Sequence, residues 1–163
     1  MDEVKAFLAE HPNVKVKQEL KTPEPKYLKP EYPKGYVPLE DEEQADFVRW
    51  LDAERPDVKY FAVPNGGKRG KREAGRFKAG GVKAGVPDLV FPEPRGCFHG
   101  LFIEMKRIKG SKLKEPDQLL WRELLTAKGY CCSMAEGAEK AKIALEAYLM
   151  LGPFDWARRV LPI

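Results

Sequence analysis

The sequence predicts a mixed α/β fold, a central β-sheet flanked by helices in the order αβββαβα. Three observations lead there. Two runs rich in Val, Leu, Ile and Phe, Gly85 to Phe91 and Gly100 to Lys106, flank the turn residues Pro92 to Gly96, the pattern of an antiparallel hairpin. Stretches with the helical period precede and follow this hairpin. A further short apolar run, Tyr130 to Met134, separates the last two helical stretches and reads as another strand.

A length of 163 residues suits one domain with a proper core. The expected division is an N-terminal arm over 1–38, the folded domain over 39–151 and an apolar tail over 152–163. Met1 to Glu10 has the spacing of a short helix through Val4, Phe7 and Leu8. From Pro12 to Pro38, prolines at 12, 23, 25, 30, 33 and 38 among many Lys and Glu favour extended backbone, with Tyr27, Tyr32 and Tyr36 available to dock it. Leu39 to Glu54 is amphipathic: Glu40, Gln44, Phe47, Val48 and Leu51 share one face. Glu40 falls close to the centre of that stripe and Glu43 near its edge, so Glu40 is the candidate acid of this helix and Glu43 its reserve. Val58 to Val63 reads as a strand closed by Pro64-Asn65-Gly66-Gly67.

The next segment carries the chain's charge. Seven bases, Lys68, Arg69, Lys71, Arg72, Arg76, Lys78 and Lys83, stand against Glu73 alone, so Gly66 to Lys83 sums to +6 and the remainder of a chain of net +4 to −2. Seven glycines from Gly66 to Gly85 interleave with these bases, the composition of a loop whose amides and cations hug a phosphate backbone. Together with Asn65, these bases are the expected nucleic-acid contacts. Gly80-Gly81-Val82-Lys83 lacks the spacing and Gly-Lys-Ser/Thr ending of a nucleotide-binding phosphate loop, so no nucleotide cofactor is expected.

Beyond the hairpin, Lys109 to Lys114 reads as a second basic loop. A helix then opens at Glu115-Pro116-Asp117-Gln118, presents Leu120, Trp121, Leu124 and Leu125, and stops at Gly129. The last helix, Glu136 to Leu151, has Ala141, Ile143, Leu145 and Tyr148 on its face and ends at Gly152-Pro153. The tail, with Phe154, Trp156, Val160, Leu161 and Ile163, is apolar enough to predict packing on the core or on a second subunit. Three cysteines, two of them adjacent, and two histidines argue against a disulfide framework, a zinc site or a Ser-His triad. The chain has no apolar run of membrane-spanning length, and Met-Asp-Glu-Val-Lys does not start a signal peptide, so a cytoplasmic protein without membrane contact is expected.

The chemistry is expected in the hairpin. Centred on Arg95-Gly96-Cys97, it pairs Asp88 with Glu104 and Val90 with Phe102, and partners in an antiparallel ladder share one side of the sheet. Lys106 lies on that side too, two residues beyond Glu104. Opposed carboxylates raise each other's pKa unless a cation lies between them, which asks for a hard divalent metal.

Pro87-Asp88, fifteen intervening residues, and Glu104-Met105-Lys106 in this element order resemble the PD-(D/E)xK nuclease superfamily, whose fold is restriction-endonuclease-like. More narrowly, the chain is similar to small stand-alone phage members of the VRR-Nuc (virus-type replication-repair nuclease) family. The matching residues are Glu40 to Gln44, Pro64 to Gly67, Lys83 to Leu89, Gly100 to Lys106, and Gln118 with Trp121 and Gly129, within 39 to about 150. The resemblance implies a deoxyribonuclease that uses Mg2+ or Mn2+. Asp88, Glu104, Glu40 and the carbonyl of Met105 would hold the metal, Lys106 would orient water, and Gln118 would position water or phosphate. It also implies branched DNA, such as a Holliday junction or flap, as the substrate in replication, recombination or repair, a homodimer as the assembly, and the host cytoplasm as the location if the chain is phage-encoded. Rival expectations are a non-catalytic nucleic-acid-binding module and a sequence-specific restriction-type endonuclease.

Overall fold

The computed structural model describes residues 27–64, 71–109 and 116–154, with the main chain alone over 71–74. The described elements are α1 (Glu40–Glu54), β1 (Phe61–Ala62), α2 (Lys71–Ala79), β2 (Leu89–Phe91), β3 (Leu101–Lys106), α3 (Pro116–Ala127), β4 (Cys131–Glu136) and α4 (Ala138–Leu149). They form a mixed sheet in the order β1-β2-β3-β4. The pairs β1/β2 and β2/β3 are antiparallel and β3/β4 is parallel, with α3 as the crossover that a parallel pair requires.

Alternation along β3 separates core from site. Leu101, Ile103 and Met105 are fully buried with Phe47 and Leu51 of α1, Leu89 and Phe91 of β2, and Leu145 of α4. Each such side chain contributes roughly 1.5–3 kcal/mol by leaving water. Phe102, Glu104 and Lys106 face the other side, where Phe102 meets the Tyr130 ring edge-on at 5.2 Å and α3 supplies Gln118. Helices therefore cover both faces of the sheet.

Several expectations need correction. The glycine-rich basic segment contains helix α2, because Lys71 to Ala79 is made of good helix formers with Gly75 as the interior exception, and Gly80 and Gly81 close it. The first strand shrinks to Phe61–Ala62, since Val58 is held in a turn by its N–H to the Arg55 carbonyl at 3.0 Å. The last strand runs on to Glu136 and α4 starts only at Ala138. Gly137 between them has φ 85°, and its N–H donates to the Lys106 carbonyl at 2.8 Å.

Two helix faces also differ from expectation. Ile143 is exposed while Ala141, Leu145 and Tyr148 are buried, as a single 3.6-residue stripe demands. On α3, Leu120 and Leu124 are exposed; Leu125 is buried, and Gln118 and Trp121 lie on its inward side. Cys131 and Cys132 are half-buried free thiols whose pKa is raised by burial. The Phe154 ring lies tilted against His99 with centroids 5.4 Å apart, and the Gly96 N–H donates to the Gly152 carbonyl at 2.8 Å, so the start of the tail rests on the hairpin turn. The expected helix at Met1 to Glu10, the basic loop from Lys109 beyond its first residue, and the tail from residue 155 lie outside the described residues.

Candidate active site

Register builds the site. Leu89 pairs with Ile103 and Val90 with Phe102, so the ladder runs on to set Asp88 against Glu104. The approach to β2 is tight: Gly85 has φ 78°, and a Cβ there would stand 2.5 Å from the main chain of Asp117 in α3. Trp121 holds the same turn through its indole N–H to the Ala84 carbonyl at 3.0 Å. The turn before Asp88 is thereby fixed to the helix that carries Gln118.

Asp88 Oδ2 accepts the Met105 N–H at 2.9 Å. Glu104 Oε1 accepts from Lys106 Nζ at 2.7 Å and from the Gln118 amide nitrogen. Lys106 Nζ also lies 3.7 Å from Glu40 Oε2. Two of the expected carboxylates, the lysine and the glutamine thus meet at the ends of β2 and β3, and Glu40 approaches them through the lysine. Burial raises the Asp88 pKa, opposed by the Met105 N–H bond. Burial and then the charge of Asp88 push Glu104 up to about 7. Burial, the largest single influence, would lower the Lys106 pKa; the bond to Glu104 and the charges of Glu104, Glu40 and Asp88 together outweigh it and the net shift is upward.

Glu40 and Glu43 exchange the burial assigned to them. Glu43 is 7% exposed, whereas the Glu40 side chain is 45% exposed. Glu43 Oε2 accepts the Ala138 N–H at 2.8 Å, tying it to the start of α4. It serves the fold, and Glu40 reaches the acidic cluster.

The donor set fits a hard cation. Among the described residues no three His, Cys, Asp or Glu side chains group closely enough to hold a metal by themselves. An ion of the magnesium type needs no such cage: it takes one or two carboxylates and keeps waters. Asp88, Glu104 and the Met105 carbonyl are all oxygen donors, and both carboxylates are protonated more readily than usual, as expected of paired acids short of positive charge. Gln118 Oε1 is buried and has no hydrogen-bond partner among the described residues. It borders a cavity of about 20 Å³ shared with Glu104, Arg122 and Ser133, room for one water. Arg122 was not anticipated from sequence, although it lies one helical turn beyond Gln118.

Of the expected nucleic-acid contacts, Arg76, Lys78 and Lys83 are exposed. Lys71 and Arg72 begin α2, and Asn65, Lys68 and Arg69 lie outside the described residues.

Fold and site together define a mixed α/β protein of the restriction-endonuclease-like type. No family model and no curated protein matches the sequence. A solved structure described as a VRR_NUC domain protein is 34% identical, with a TM-score of 0.61, and the match covers 76% of this chain and 96% of that one. This chain belongs to the VRR-Nuc family, a family of nuclease domains.

Proposed function

We propose that the protein is a Mg2+- or Mn2+-dependent deoxyribonuclease of the PD-(D/E)xK type, hydrolysing phosphodiester bonds in branched DNA. The observation that carries this reading is the meeting of Asp88, Glu104 and Lys106 on one side of the β2/β3 hairpin, with the Glu104 pKa pushed up to about 7. Asp88, Glu104 and the Met105 carbonyl would hold the cation, with Glu40 beside them. When bound, the cation neutralises charge gathering on the phosphoryl oxygens and makes water more acidic. Lys106 orients the attacking water, and its ammonium tempers the repulsion between the acids. Gln118 directs its free Oε1 at a water or its amide at the substrate phosphate. Arg76, Lys78 and Lys83, with the neighbouring basic residues, grip phosphates without reading bases. Selection then rests on the shape and flexibility of the DNA, as at a junction or flap. A phage-type homodimer would bring two such sites to one junction.

The test is cleavage of junction, flap, nicked and linear DNA with Mg2+, Mn2+ or EDTA by the wild type, Asp88→Ala and Lys106→Ala. Metal-dependent cleavage that falls at least about 100-fold in both variants is expected. Cleavage by Asp88→Ala at the wild-type rate removes the site, and binding without cleavage under every metal makes the protein a binding module. Sedimentation with and without a junction checks the dimer.

A further inference from the structure

We infer that the proline-rich segment 27–39 is a brace of the active site, and that Arg107 is the positioning residue that latches it so that Glu40 stays beside Lys106. The inference rests on the nuclease reading above. Arg107 directly follows Lys106 at the end of β3, a position already fixed by the Gly137 N–H on the Lys106 carbonyl at 2.8 Å. Its guanidinium donates through Nε to the Pro38 carbonyl at 2.9 Å and through Nη2 to the Val37 carbonyl at 2.6 Å. Proline has no N–H, and the two carbonyls arrive as a ready pair for a planar fork of donors.

The next residues start α1. Glu42 Oε2 accepts the Leu39 N–H at 2.7 Å and the Tyr36 hydroxyl at 2.7 Å, closing the first turn onto the same segment. Glu40, the first helical residue, therefore has its main chain set by Arg107 two residues before it, and its carboxylate then lies 3.7 Å from Lys106 Nζ. The far end of the brace is tied independently: the Tyr27 hydroxyl donates to Asp46 at 2.9 and 3.1 Å, and Lys29 pairs with Glu139 at 2.8 Å. Glu40, unlike the buried Glu104, is half-exposed at a helix start, where fraying would carry it away; the latch opposes that.

A phosphate contact is the rival role for an arginine beside a nuclease site, and the two separate experimentally. Arg107→Ala, Arg107→Lys, Glu40→Gln and the Arg107→Ala/Glu40→Gln double variant are compared on a junction substrate with Mg2+. Hydrogen exchange of residues 36–43 is followed in the metal-free proteins. Expected are a kcat about tenfold lower in Arg107→Ala with KM within about twofold, and less than half of the loss recovered by Arg107→Lys, which keeps the charge but lacks the fork. The double variant should be no slower than Glu40→Gln alone, because both changes remove one interaction. Exchange at Leu39, whose N–H is held by Glu42, and at Glu43, whose N–H is held by the Leu39 carbonyl, should quicken at least about tenfold in Arg107→Ala. A raised KM with full rescue by Arg107→Lys, multiplying effects in the double variant, or unchanged exchange overturns the brace. A wild-type rate for Glu40→Gln overturns it together with the role of Glu40, leaving Asp88, Glu104 and Lys106 standing. If the wild type cleaves no DNA, the nuclease reading fails while exchange still decides whether Arg107 latches the segment.

Discussion

Two lysines in this protein are buried to nearly the same degree, Lys106 at 4% and Lys142 at 9% exposure, and their surroundings are opposite in kind. Lys142 lies between Asp46 at 4.0 Å and Glu139 at 3.2 Å, donates to the Tyr27 hydroxyl at 3.1 Å, and sits 4.4 Å from the centre of the Tyr27 ring. Lys29 and Arg49 bring further positive charge to the same two acids, so each acid of the group is matched by a cation, and the bonds of Glu139 to Lys29 and Lys142 hold its pKa below the usual carboxylate range. Around Lys106, Asp88, Glu104 and Glu40 converge, and the pKa values of Asp88 and Glu104 go up. A balanced group is finished as a piece of structure; one with surplus negative charge is poised for a cation.

The comparison is broken or sharpened by substitution. Lys106→Ala should lower cleavage about 1000-fold at saturating metal, whereas Lys142→Ala should stay within about threefold of wild type at a temperature where both are folded. Lys142→Ala should instead cost about 2–3 kcal/mol in denaturant unfolding, because it leaves Asp46 buried without its lysine. If Lys142→Ala were the inactive variant and Lys106→Ala the unstable one, the assignment would be reversed.

Glu104→Gln should stabilise the metal-free protein at pH 8 by about 2 kcal/mol. The folded pKa is about 7 against an ordinary 4.5, so between those values the folded state binds more protons than the unfolded chain. Stability therefore falls as pH rises through that window, and the amide removes the fall. Melting curves from pH 4.5 to 8 check the sign, and added Mn2+ should raise the wild-type melting temperature more than that of the variant. The smallest effect is expected at the rim of the balanced group. Glu139→Gln should cost no more than about 0.5 kcal/mol, since its pair with Lys29 is open to solvent, and high salt should erase the difference.

Much of the site was legible because a strand has period two. Centring the hairpin on Gly96 was enough to set Val90 opposite Phe102 and bring Asp88 to Glu104. The helical acid was less legible. Rotation alone places Glu40 on the buried stripe and Glu43 at its edge, but α4 presents an N–H at Ala138 that draws Glu43 inward, and no spacing within α1 encodes that partner. The same holds for α3, where apolar spacing groups Leu120 and Leu124 with Trp121 and Leu125, whereas Leu120 and Leu124 are exposed, Leu125 is buried and the polar Gln118 reaches Glu104. Helix α2 was hidden by counting glycines over a window wider than the run of helix formers inside it.

The sequence by itself determined helix α1 and the element types that follow the hairpin, the side of the sheet on which Asp88, Glu104 and Lys106 lie, and the clustering of positive charge before Lys83. These follow from local periodicity and composition, which residues carry with them wherever the chain goes. Only the tertiary structure decided which glutamate of α1 joins the acids, which lysine is surrounded by surplus negative charge, and that Arg107 holds the carbonyls of Val37 and Pro38. Each of those depends on groups brought together from distant parts of the chain, and burial and electrostatic pairing act on distance in space, to which sequence separation is blind.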